Sequence, residues 1–130
     1  MKTIKDIESA RQAKISDMLS ELGVIFAFCE EQFDRSRKPG VTYVSGGCGI
    51  FIPQNNVQAF NDRCDRIIHE TNEEFRENVT MDQYISHQLA NHEASYTYDI
   101  SEAYEAVQPV YPECTREDMW RVLHRDYGQE

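Results

Sequence analysis

The stretch Val41-Thr42-Tyr43-Val44-Ser45-Gly46-Gly47-Cys48-Gly49-Ile50-Phe51-Ile52-Pro53 decides the fold class. Val41–Val44 alternates as a strand does. Ile50–Ile52 is a second short run of β-formers, and the glycines between them suit a reversal into a hairpin. The glycine run lacks the Lys-Ser/Thr ending and the strand–loop–helix order of a phosphate-binding loop. Its glycines answer a bend or a bulge.

Outward from this hairpin, Val24–Phe28 is a compact apolar run and reads as a buried strand. The charged segment Glu30–Lys38 separates it from the hairpin and ends in the turn signal Pro39-Gly40. Both flanks are helical. Ile4, Ile7, Ile15, Met18, Leu19 and Leu22 share one face, with Thr3 and Asp6 placed to cap the start and Gly23 to end it. Asn55 or Asn56 opens a helix carrying Val57, Phe60, Cys64, Ile67, Ile68 and Phe75, with Asn78 at its end. Thr80 with Gln83, Asp99 with Glu102, and Thr115 with Asp118 open three more. The chain therefore reads as α+β, one domain over residues 1–130. A small antiparallel sheet of about three strands is packed by a long N-terminal helix and several C-terminal helices. So small a sheet leaves open edges, and a homodimer or higher homo-oligomer is expected.

The chain has 13 basic and 23 acidic residues, a net charge of −10. That balance opposes direct binding to nucleic-acid backbones, which calls for clustered Lys and Arg. It permits an acidic surface that mimics nucleic acid, with Glu70–Glu77 and Glu113–Asp118 as the charge source. The amphipathic start lacks the apolar core of a signal peptide, and no run approaches the roughly 20 apolar residues of a membrane span. A cytoplasmic protein with reduced Cys29, Cys48, Cys64 and Cys114 is the expectation.

No metal or other cofactor is expected. Cys64 and His69 are five apart, as are His87 and His92, and each pair diverges round a helix; His124 and Cys114 complete no ligand set. Cys29, at a strand end, is a candidate nucleophile, but the stronger expectation is a small apolar residue in the core. The densest polar segment is Asn91-His92-Glu93-Ala94-Ser95-Tyr96-Thr97-Tyr98-Asp99. Asn91, His92, Glu93, Thr97 and Asp99 can hydrogen-bond a base or ribose, and Tyr96 and Tyr98 offer stacking faces. Arg121 and Arg125, four apart on the last helix, can hold a phosphate.

Three segments resemble a family of small uncharacterised proteins from bacteriophages and bacteria. They are Phe26-Ala27-Phe28 with Gln32-Phe33; Tyr43–Gly49 with Ile52-Pro53 and Asn56-Val57; and Asn91-His92-Glu93-Ala94 with Tyr96-Thr97 and Asp99. The similarity runs from Val24 to Arg125, and the family carries Ser where this chain has Cys29. The resemblance implies a phage origin and no particular activity. With it, the expected function is a non-enzymatic counter-defence protein that sequesters a small nucleotide-like host signal. The second reading is an acidic inhibitor of a host defence protein such as a CRISPR or restriction effector. An enzyme using His92, Glu93 or Asp99 as acid and base is a third.

Overall fold

The computed structural model describes residues 2–128. The architecture is α+β: a three-stranded antiparallel sheet and, among the described residues, seven α-helices. Helix α1 covers Ile4–Glu21, strand β1 Ile25–Phe26, α2 Glu30–Ser36, β2 Tyr43–Gly47 and β3 Ile50–Pro53. A 3₁₀ turn, Gln54–Asn56, leads into α3, Val57–Asn78. Then follow α4, Met81–Asn91; α5, Ala94–Thr97; α6, Ser101–Val107; and α7, Arg116–Tyr127. The chain divides into two compact units, residues 9–69 and residues 2–8 with 70–128.

The first unit holds the sheet, ordered β1-β3-β2. Val44 faces Ile52 and Ser45 faces Phe51, but Gly47 faces Ile50, so Gly46 is the extra residue of a bulge. The turn residues Cys48 and Gly49 both have positive φ, 52° and 78°, as a two-residue primed hairpin turn demands. Gly49 has a second constraint, because a Cβ there would lie 3.1 Å from the Ala27 carbonyl oxygen and closer still to the Phe28 ring. That carbon would crowd the place where the Gly49 carbonyl accepts the Ala27 N–H at 2.8 Å. Strand β1 is shorter than the apolar run Val24–Phe28 suggests. Only Ile25 and Phe26 pair, opposite Phe51 and Ile50, because β3 extends no further toward the turn. Beyond them Phe28 is 79% exposed.

The charged segment before Pro39 forms α2. Gln32 folds back so that its Oε1 accepts the Phe28 N–H at 2.7 Å. Phe33 packs on Phe51 and Tyr43, with ring centroids 4.7 and 5.7 Å away. The motif Phe-Ala-Phe followed by Gln-Phe is therefore a helix start and its anchor to the hairpin. Cys29 is the N-cap of α2, in extended backbone, and its side chain caps nothing. A Ser hydroxyl accepts from the N–H groups a helix start leaves open. Cys29→Ser is expected to raise stability by roughly 0.5–1 kcal/mol, read as a higher denaturation midpoint in urea.

The second unit has a continuous core that includes Ile7, Phe75, Ile85, Leu89, Ala94, Val107, Met119 and Leu123. Reciprocal capping boxes start α4 at Thr80 and Gln83 and α7 at Thr115 and Asp118, as their spacing predicts. The Thr3–Asp6 pair starts α1 in the same way. Tyr111 donates its buried hydroxyl to the carbonyls of Phe75 and Val79 at the end of α3. Arg76 spans the same corner, reaching Glu113 with both terminal nitrogens at 3.0 Å and the Val110 carbonyl at 2.8 Å.

Candidate functional site

All eight residues singled out by the sequence lie in the second unit, on or next to α4, α5 and α7. Asn91 ends α4, its Nδ2 3.1 Å from His87 Nε2 one turn back. His92 is the C-cap, with Nδ1 3.3 Å from Glu102 Oε2. Glu93 and Tyr98 both adopt left-handed backbone, φ 53° and 58°, on either side of the four-residue α5. Between them Ala94 is fully buried, whereas Tyr96 is 91% exposed. The Thr97 hydroxyl donates to the Glu93 carbonyl and accepts the Asp99 N–H.

Asp99 then accepts the Ser101 N–H at 2.9 Å and turns the chain into α6. That bond, with the Ser101 side chain, holds its carboxyl below the usual carboxylate range. The expected Asp99–Glu102 capping box is replaced by this shorter turn, and Glu102 reaches His92 instead. Much of the segment from Asn91 to Asp99 thus serves its own reversal.

The two arginines lie against α4. Arg121 donates to both oxygens of Asp82, at 2.8 and 2.9 Å, and lies 3.5 Å from Asp118. Arg125 reaches Asp82 at 3.3 Å, Asp126 at 3.0 Å and the Ser86 hydroxyl at 3.0 Å. The Arg121 hydrogen bonds pull the Asp82 carboxyl below its ordinary value, and the same pair raises the Arg121 guanidinium. These contacts join α4 to α7, so both guanidinium groups are engaged within the fold.

Sequence reasoning missed Tyr127 as a site residue, and named Tyr98 without its partners. Tyr98 donates to or accepts from His124 Nε2 at 2.9 Å, and its ring lies 5.0 Å from Trp120. Tyr127 joins Ala90, Glu93, Ser95 and Tyr96 around an open hollow of about 300 Å³. Tyr127 shares the last turn of α7 with Arg125, a helical signal that was available, but its meeting with Tyr96 is tertiary. Cys29 and Cys48 are exposed and Cys114 is buried; burial raises the Cys114 thiol to about 11. Among the described residues no three His, Cys, Asp or Glu side chains are grouped to hold a metal ion. None of the described helices is long and apolar enough to cross a membrane.

An α+β protein whose segment from Asn91 to Asp99 folds into a chain reversal is the class that this geometry defines. The chain belongs to a family of unknown function, DUF7659, which matches residues 7–126. No curated protein and no solved structure matches the chain.

The Asp82 pair gives a pH signature. A carboxylate with a depressed folded pKa contributes stability that is full above its unfolded pKa, about 3.9, and is lost as pH falls through the folded value. Asp82→Asn is expected to lower the melting temperature by a few degrees at pH 7. The gap to wild type should hold down to about pH 5 and shrink below about pH 4, as followed by thermal melts across that range.

Proposed function

We propose that this protein is a non-enzymatic binding protein that holds a small nucleobase-bearing ligand intact. Such an action suits a phage-borne protein that removes a nucleotide-like signal from a host defence in the host cytoplasm. The observation that carries the reading is the exposed Tyr96 ring beside Tyr127, Glu93 and Ser95 around one hollow. Two aromatic rings supply faces for a planar base. The carboxylate accepts ring or exocyclic N–H groups, and the Ser95 hydroxyl does either. A shallow hollow with a few convergent polar groups suits recognition of part of a small ligand. Thermal shifts with the four common nucleosides test this. At least one is expected to raise the melting temperature and to be recovered unaltered, and Tyr96→Ala is expected to abolish the shift. No shift with any nucleoside, together with a host protein that co-purifies and dissociates in salt, would favour the acidic inhibitor instead.

We propose further that two copies associate through β2. Strand β2 is an edge, and no charged residue occurs from Pro39 to Asn61 in a chain of net charge −10. Val44 on that edge is 40% exposed. Here two acidic copies can meet without like charges opposed, in a self-complementary antiparallel pairing. A Lys on an edge strand blocks such pairing. Wild type is expected to sediment as a dimer and Val44→Lys as a monomer with unchanged circular dichroism. A wild-type monomer at every concentration tested would remove the proposal.

A further inference from the structure

The second unit has a larger hollow that the sequence did not suggest. It measures about 510 Å³ and is lined by Lys2, Thr3, Ile4, Lys5, Asn78, Val79, Gln83 and His87. Two lysines, a histidine and two amide-bearing residues are among those that line it, and no Asp or Glu is. Lys2 and Lys5 bring positive charge to it on a chain with ten surplus negative charges.

The fold holds these groups in place. The Thr3–Asp6 and Thr80–Gln83 caps fix the first turns of α1 and α4. The Lys2 backbone N–H donates to Asn78 Oδ1 at 3.2 Å. Lys2 Nζ meets Glu74 at 3.1 Å, which occupies one of its three donors and leaves two. His87 Nε2 lies 3.4 Å from Glu8 Oε2. Glu74 thus steadies the Lys2 ammonium, and Glu8 lies beside the His87 ring.

Helix α4 relates this hollow to the one at Tyr96. At about 100° per residue, Gln83, His87 and Ala90 fall within an arc of about 60°. Gln83 and His87 line the larger hollow and Ala90 the smaller. His87 and Ala90 are about 5 Å apart along the axis, within the length of a single nucleotide. Asp82 and Ser86 occupy the neighbouring face, where Arg121 and Arg125 lie.

We infer that the Lys2–Lys5–His87 hollow is an anion site that takes the phosphate of a small phosphorylated ligand. The inference builds on the nucleobase reading, and supplies from Lys2 and Lys5 the positive charge that Arg121 and Arg125 give to Asp82. The test is calorimetry on the full chain at low salt with inorganic phosphate, nucleosides and their 5′-monophosphates. Phosphate is expected to bind, and a monophosphate to bind more tightly than its nucleoside. Lys2→Gln combined with Lys5→Gln should weaken phosphate binding by about fivefold or more and erase the monophosphate advantage. Tyr96→Ala should leave phosphate binding unchanged. Both lysines are at the surface end of α1, and Lys5→Gln alone removes a cation from a helix start, which favours folding.

Equal affinity for nucleoside and monophosphate would overturn the anion site while leaving the Tyr96 reading in place. Phosphate binding that the double variant retains in full would overturn it too. Phosphate binding abolished by the double variant, with no nucleoside bound by wild type, would uphold the anion site and remove the Tyr96 reading.

Discussion

Ala94 has no exposed surface, and the chain enters and leaves its short helix through left-handed backbone at Glu93 and Tyr98. Neither flanking residue is glycine, so each carries a conformational cost of order 1–3 kcal/mol. Ala94 belongs to the buried cluster that includes Leu89, Met119 and Leu123, where a larger side chain would overpack. This one reversal sets the arrangement of the second unit's candidate site. It sets the exposed Tyr98 beside Trp120 and His124, sends Tyr96 into solvent, and delivers Asp99 to the start of α6.

Charge is distributed by a similar economy. An acidic chain has few cations, and most of those near α7 are committed to holding helices together. Asp82 draws in Arg121 and Arg125, and Glu113 draws in Arg76. The positive charge that lines a hollow comes instead from Lys2 and Lys5 at the start of α1. Geometry explains the difference. Arg binds carboxylate by a planar fork, as at Asp82 and Glu113, whereas an ammonium keeps spare donors after one contact.

The sheet unit obeys another constraint. Its hairpin closes through consecutive positive-φ residues and admits β1 only because Gly49 presents no Cβ to the Ala27 carbonyl. The resulting sheet is narrow, neutral along β2 and β3, and open at β2. Phe26, Phe28 and Val44 remain partly in water as a result.

The sequence by itself determined the α+β class, the hairpin, the capped starts of α1, α4 and α7, and the helical faces that fill the core. Those are local matters: side-chain period, cap spacing and turn chemistry act within a few residues. It did not disclose α5, because its left-handed ends are Glu93 and Tyr98 rather than Gly. Nor did it reveal that Val24–Phe28 would pair over only two residues, which depends on the length of β3. Above all, tertiary structure decided the partners. Asp82 is 39 residues from Arg121, Tyr96 meets Tyr127 across a hollow, and Lys2 lies beside Asn78. Nothing in local periodicity encodes such meetings. They follow from how the helices pack, and that packing makes the segment from Asn91 to Asp99 a reversal that exposes Tyr96.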